Sequence, residues 1–385
     1  MAQGFGKMVW RLGMEFYTEK EDCCGCGACA DVCPADAVCM TEDEEGFWYP
    51  QVDGSKCVDC GRCRQVCPVK NHPAEHRERL YFGVQAREQE KRYGSSSGGM
   101  FPILAEYMLR RGGVVYGAAF QEHMEVVHRE AHNLEELETL KKTKYVQSNL
   151  KGIYRRIRTQ LNGGRWVLFC GTPCQTQALR LFLRKPYEKL VTADLVCYGA
   201  PSPGIWSAYV KYLEHKHHGT MTGFSFRDKR NRDNGHARSY VVNGREYAGS
   251  LYGDAYCRMY FANVMVRPSC HSCGFCTADR NSDFTLGDFW GIERMKPDMD
   301  DGMGTSMVIV HTAQAQKIWE EVKEELAWFS CTKEDVLQPR LTGPTPAAKG
   351  RGMFMALYKI LPFSLFLMLF TKTMSGIALL RRIRR

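Results

Sequence analysis

Two short stretches decide the reading: CCGCGACADVCP at residues 23–34 and CVDCGRCRQVCP at residues 57–68. Cys23, Cys26, Cys29, Cys33 and Pro34 recur as Cys57, Cys60, Cys63, Cys67 and Pro68, and Gly27 and Val32 recur as Gly61 and Val66. This repeated Cys-x2-Cys-x2-Cys-x3-Cys-Pro run is the ligand pattern of a bacterial two-cluster module. Three close cysteines wrap one cubane and the fourth reaches across to the other. The pattern therefore predicts one [4Fe–4S] cluster on Cys23, Cys26, Cys29 and Cys67, and a second on Cys57, Cys60, Cys63 and Cys33. A pair of zinc sites would need neither the third cysteine nor the proline, twice over. Cys24 and Cys39 fall outside the spacing, Cys24 as a bystander and Cys39 as a small buried thiol. Between the copies, Glu44–Pro50 reads as a turn and an extended aromatic run, hence a small hairpin.

Working outward, the chain has 385 residues, 44% of them apolar and 25% charged, which suits two or three globular domains. Its 18 cysteines could suggest a secreted disulfide scaffold. Against that, Met1–Lys20 holds no apolar run long enough for a signal peptide, and the cysteines sit at metal spacings. A cytoplasmic location is the expectation. The net charge of +9 lies in the tail: after Asp335 come nine cations and no acid, while the remaining 43 basic and 43 acidic residues balance. Such a distribution does not predict a nucleic-acid binder. Residues 360–370 form an apolar run between Lys359 and Lys372, about half of the roughly twenty residues a membrane span needs. The tail reads either as a helix packed on the protein's own core or at a dimer interface, or as a surface anchor at the inner face of the membrane, giving a peripheral membrane contact through residues 350–385.

Residues 71–80 read as a linker. Beyond it the pattern is α/β: a helix over 97–111, strands at Val114–Phe120 and Val126–Glu130, and a helix over Leu150–Leu161. Arg165–Cys170 and Leu190–Cys197 read as buried parallel strands around a helix that Thr172 caps and Pro173 opens. Ligands gather at the carboxyl ends of such strands, and Cys174 and Cys197 lie there. Cys174, near a helix N-terminus, is expected to ionise easily. A third group, Cys270, Cys273 and Cys276 with His271, reads as zinc in isolation. Joined to Cys174 and Cys197, it could hold another [4Fe–4S] cluster. Gly94–Gly99 before a helix has phosphate-binding character. No GxGxxG fingerprint or P-loop occurs.

The ordered blocks SSSGGMF (95–101), KYVQS (144–148), VLFCGTPCQ (167–175), DLVCYGAPSP (194–203), FRDK (226–229), RPSCHSC (267–273) and SDFTLGDFWGI (282–292) resemble the beta-subunit family of coenzyme F420 hydrogenases and dehydrogenases, fused here to a two-cluster ferredoxin. The likeness runs from residue 20 to about residue 315. It implies an α+β chain. Residues 15–72 would be a ferredoxin-type domain, 80–335 a larger α/β flavin and iron–sulfur domain, and 336–385 a basic apolar tail. It further implies a third cluster on Cys174, Cys197, Cys270 and Cys273, with Cys276 as an alternative ligand. An FAD would lie near Ser97, Gly98, Gly99, Lys144, Gln147, Thr172, Gln175 and Asp288. The activity implied is that of an oxidoreductase passing electrons between clusters and flavin, with a ferredoxin or reductase as redox partner. Its small-molecule substrate is unidentified, and related fusions occur in polysaccharide-synthesis gene clusters. A flavin-free electron adapter is the competing reading.

Overall fold

The computed structural model describes residues 17, 19–71, 78–230 and 237–371. Most of the expected linker, residues 72–77, and the last 14 residues of the tail lie outside the described residues.

The first module is small. Strands β1 (Val38–Glu42) and β2 (Trp48–Val52) form the hairpin expected between the cysteine repeats. One short helix stands on either side, Ala28–Val32 and Arg62–Gln65. Each starts after a left-handed glycine, Gly27 or Gly61, so the two copies of the repeat share a backbone path. Cys39 lies on the outward face of β1 and is exposed. It is not the buried thiol its size suggested, because strand alternation puts Val38 inside and Cys39 outside.

The larger sheet takes its first strand in chain order from β3 (Leu80–Ala86). Strands β4 (Val114–Phe120), β5 (Val126–Ala131), β6 (Val167–Gly171) and β7 (Leu190–Leu195) follow. Strands β8 (Met221–Ser225), β9 (Ala237–Val242) and β10 (Arg245–Ser250) make a separate antiparallel sheet. Strands β11 (Phe284–Asp288), β12 (Ser306–Val310) and β13 (Leu326–Cys331) return to the main one. Its order is β13-β3-β12-β11-β7-β6-β4-β5. Strands β11, β7, β6 and β4 run parallel, as the βαβ reading required. Every residue of β6 and β12 is buried, the composition of strands covered on both faces.

Helix Met100–Arg110 covers one face, while helices Ile153–Asn162 and Pro173–Leu183 cover the other. The first of this pair begins three residues later than its apolar spacing suggested. Leu150 is buried but belongs to a turn that ends at Gly152 (φ +77), the helix N-cap.

The ferredoxin module is packed into the larger domain. Asp31 accepts hydrogen bonds from the backbone N–H groups of Gly152 (2.9 Å) and Tyr154 (3.1 Å), capping a helix of the other domain. Tyr154 Oη donates to the Cys26 carbonyl at 3.1 Å. Gly46 and Gly204 meet backbone to backbone, and a Cβ on Gly46 would lie 2.5 Å from the Gly204 Cα. Phe47 and Tyr49 of the hairpin join Trp206, Tyr256 and Tyr260 in one core.

The tail closes the same core. Helix Arg351–Ile360 and the helical residues 363–371 bury Phe354, Met355, Phe366 and Leu367 against it. Arg351 pairs with Glu45 (2.6 Å) and Lys359 with Glu44 (3.0 Å). Among the described residues no helix is long and apolar enough to cross a membrane.

Because Asp31 satisfies two donors that the helix itself cannot, Asp31→Ala is expected to lower the unfolding free energy by about 1–3 kcal/mol. Anaerobic urea denaturation of the cluster-loaded protein checks this, and an unchanged midpoint would show that water replaces the carboxylate.

Candidate functional site

The cysteines of the two repeats lie close together in the first module. Cys33, Cys57, Cys60 and Cys63 line one cavity together with Val38 and Val52. Cys23, Cys29 and Cys67 face one another, and Cys26 faces Cys29. Burial pushes the Cys29 thiol up, and its thiol neighbours add to the shift. The Cys33 sulfur accepts the Ala37 N–H at 3.2 Å.

A second gathering of sulfur sits at the carboxyl edge of the large sheet. Cys174 follows β6, Cys197 follows β7, and Cys270 and Cys273 come from the turn at Pro268–Ser272. Cys197 lies within electrostatic reach of Cys270, Cys174 and Cys273, so three separate segments meet at one place. Ala200 donates its N–H to the Cys270 sulfur at 3.3 Å. Cys273 and Cys276 share a hydrogen bond that holds the Cys273 thiol down to about 7 and Cys276 up. His271 turns its Nδ1 to the Thr345 carbonyl, 2.9 Å away.

Cys174 differs from its expectation. Its hydrogen bond with the Cys24 thiol raises it well above the ordinary value, and burial and the Cys24 and Cys273 sulfurs raise it further. A helix N-terminus supplies only about half a charge, and these effects outweigh it. Cys24 is correspondingly no distant bystander. Its thiol bonds to both Cys174 and Cys26, so the ferredoxin loop touches the second sulfur group directly.

Of the residues expected at a flavin, Ser97, with the adjacent Gly98 and Gly99, and Asp288 lie near Lys229, while the Lys144 side chain folds back onto its own segment. Ser97, Gly98 and Gly99 precede helix Met100–Arg110, and the Gly98 N–H is taken by Ser306 Oγ (2.8 Å). Lys144 donates to the carbonyls of Lys141 (2.7 Å) and Thr139 (3.1 Å), and burial lowers its amine to about 7. Asp288 ends β11 and pairs with Arg227 at 2.9 Å. The other three serve the protein itself. Thr172 donates its N–H to Gln175 Oε1 (2.9 Å), Gln175 donates to Ser148 Oγ (3.1 Å), and Gln147 donates to the Cys24 carbonyl (3.1 Å).

The sequence reading missed the cations that organise this region. Lys229 is buried and donates to the carbonyls of Ser97 (2.6 Å) and Arg92 (2.8 Å). Burial, together with Arg227 and Arg92 nearby, lowers its amine to about 7. Arg92 and Arg227 each hold a buried Nε atom with no hydrogen-bond partner. The segment itself was in view, since Arg227 and Lys229 belong to the FRDK block at residues 226–229.

Buried sulfur sets in a two-helix module, with another set at the edge of a doubly covered sheet, define an iron–sulfur electron-transfer protein of oxidoreductase type. Residues 22–71 match the 4Fe-4S dicluster domain, and residues 164–331 match the family described as the C-terminal part of the coenzyme F420 hydrogenase/dehydrogenase beta subunit. The chain thus carries a match to a dicluster domain followed by a match to the C-terminal part of that beta-subunit family. An uncharacterized ferredoxin of Methanocaldococcus jannaschii is 42% identical over 38 residues, 10% of this chain and 49% of the relative. The matched segment spans about half the length of that curated relative. A solved xenon derivative of the F420-reducing [NiFe] hydrogenase complex from Methanosarcina barkeri aligns at 17% identity with a TM-score of 0.44, over 73% of this chain and 87% of that one.

The contact between the two sulfur groups depends on Gly25 (φ +68), where a Cβ would lie 2.5 Å from Gln147 Nε2 and 2.7 Å from Arg267 Nη1. Gly27 (φ +76) has the same left-handed backbone with nothing within 4 Å of its would-be Cβ. Both Gly→Ala variants should carry the backbone cost of about 1–2 kcal/mol. Gly25→Ala should lose more than Gly27→Ala, and equal losses in anaerobic denaturation would mean that the junction yields freely.

Proposed function

We propose that this chain is a flavin-dependent iron–sulfur oxidoreductase. In this reading it passes electrons between a redox partner protein, three [4Fe–4S] clusters and an FAD that acts on a small-molecule substrate. The observation that carries the reading is the meeting of Cys174, Cys197, Cys270 and Cys273 at the carboxyl edge of the sheet, with the Cys23–Cys29 loop of the dicluster domain set against them. Among the described residues no three His, Cys, Asp or Glu side chains converge on a single ion's coordination sphere. A cubane asks for something different, thiolates spread over separate iron corners.

Electrons would enter at the cavity of Cys33, Cys57, Cys60 and Cys63, which lies in the module's outer half, where Cys60 is exposed. They would pass to the Cys23 set and cross the Cys24–Cys174 contact. The flavin region supports the last step. Arg92, whose carbonyl shares the Lys229 amine with that of Ser97, and Arg227, which pairs with Asp288, each carry a buried Nε without a hydrogen-bond partner, and such cations fit an anionic dinucleotide. FAD, when bound, supplies the exchange of hydride or electrons with the substrate. Lys229 ties residues 92 and 97 into one cradle, and the Arg227–Asp288 pair fixes its far wall.

Anaerobically purified protein is expected to contain about twelve iron per chain by the ligand arithmetic, and one FAD released on denaturation. Cys197→Ser should lower the iron to about eight by the same arithmetic and leave the dicluster spectrum in place. Eight iron in the unaltered chain would remove the third cluster. A loaded but flavin-free protein would leave an electron adapter.

The tail supports a peripheral role at an anionic membrane surface. Met353, Ile360, Leu365 and Met368 are exposed, the first two at 71% and 74%, and the sequence ends in Arg381, Arg382, Arg384 and Arg385. Cations near such a surface contribute about 1 kcal/mol each. Deleting the tail would strip Phe354 and Phe366 from the core, so the informative variant changes only the exposed side chains. Met353→Ser with Ile360→Ser and Met368→Ser should abolish co-sedimentation with anionic liposomes while iron content stays constant. Equal sedimentation of variant and parent would rule the anchor out.

A further inference from the structure

Arg267 occupies the seam between the dicluster loop and the Cys270 turn, and its side chain is completely buried. Nε donates to the Cys23 carbonyl at 2.7 Å. Nη2 donates to the Trp48 carbonyl at 3.0 Å and stands 3.6 Å from the Cys23 sulfur. Nη1 donates to Gln147 Oε1 at 3.2 Å, and the guanidinium lies 4.1 Å over the Tyr49 ring. None of these hydrogen-bond partners is a carboxylate. The positive charge therefore enters the interior without an acid opposite it, a strongly unfavourable arrangement unless another anion meets it. The titratable groups facing it are the Cys23 sulfur first, then the Tyr49 phenol, then the Cys24 and Cys270 sulfurs. The site is also built for it. Gly25 leaves out the Cβ that would collide with Nη1, and Phe47 and Tyr49 wall the guanidinium from water.

We propose that Arg267 is a positioning residue that sets the reduction potential of the cluster held by Cys23. One-electron reduction adds one negative charge to a cluster and its thiolates. A fixed cation at a ligand sulfur, screened from water, stabilises that added charge and raises the potential. The effect is local. Arg267 is absent from the lining of the cavity that holds Cys33, Cys57, Cys60 and Cys63. It would make the inner dicluster site easier to reduce than the outer one, so that electrons run inward toward the Cys24–Cys174 contact. The inference rests on the dicluster domain and not on the flavin or the third cluster. A two-cluster or flavin-free protein leaves its test intact.

The test uses the full-length protein, purified anaerobically as parent, Arg267→Gln and Arg267→Lys. Iron and sulfide analysis precedes a dithionite titration followed by electron paramagnetic resonance. Arg267→Gln is expected to keep the parent's iron, shift the reduction equilibrium of one dicluster signal tenfold or more against reduction, about 59 mV for one electron, and leave the other signal unmoved. Arg267→Lys keeps the charge and should recover most of that shift. Full iron with unmoved midpoints overturns the proposal. So does a lysine variant that shifts as far as the glutamine one, because shape and not charge would then matter. Loss of iron from both variants also overturns it, since Arg267 would then be holding the loop and not the potential.

Discussion

Thiolates packed together away from water repel one another, and that repulsion is the constraint around which this chain is arranged. Cys174, Cys197 and Cys270 are all pushed up as free thiols by burial and by each other, Cys174 first of all by its bond to Cys24. A protein that collects sulfur this way needs a cationic partner for it, and iron is the partner that the repeats at residues 23–34 and 57–68 specify. Where the chain adds compensation of its own, it uses N–H groups at Ala37 and Ala200 and the guanidinium of Arg267. The polypeptide therefore sets how negative each site can become, while the chemistry belongs to the groups it holds.

The same constraint explains why the small module is not a free-standing bead. A ferredoxin-sized unit of about fifty residues buries little surface of its own. Here Ala28 and Val66 continue the core of the larger domain, and the hairpin aromatics continue another. Asp31 and Arg155 complete the seam: the carboxylate caps a helix of the larger domain, and the guanidinium bonds the Cys33 carbonyl at 3.1 Å. Two sulfur sites on different domains are thus held at one separation, which electron transfer requires and a flexible linker would not give.

Much of this was legible in the sequence, for identifiable reasons. Ligand spacing is a local property, so the dicluster module could be read from two twelve-residue strings. The βαβ unit around Thr172 and Pro173 declared itself through capping chemistry, and β4 was placed to the residue by its flanking glycines and apolar run. What escaped depends on contacts between distant segments. Cys24 looks idle beside Cys23 because its partner, Cys174, is 150 positions away. The ease of ionising Cys174 was misjudged because a helix end is visible in sequence and a buried neighbouring thiol is not. Cys39 was misread because small size argues for burial, whereas the pleat of β1 decided otherwise. Arg267 sits in a quoted block, yet nothing local distinguishes a buried arginine from an exposed one.

The tail is amphipathic, and one side of it belongs to the core. Its apolar run is too short to span a bilayer, and the structure spends one side of it on the core: Phe354 and Phe366 pack edge to face with ring centroids 4.9 Å apart. Arg351 and Lys359, two of the nine tail cations, are held by Glu45 and Glu44 of the turn between the cysteine repeats. These pairs neutralise the tail where it meets the protein. The cations past residue 371 have no such acids near them in sequence, and the exposed methionine and isoleucine side chains lie on the other side of the same helices. The described part of the tail is thus amphipathic, with its charge neutralised on the side that packs. Packing fixes the helix that docking would otherwise have to order, which removes an entropic cost from any surface association.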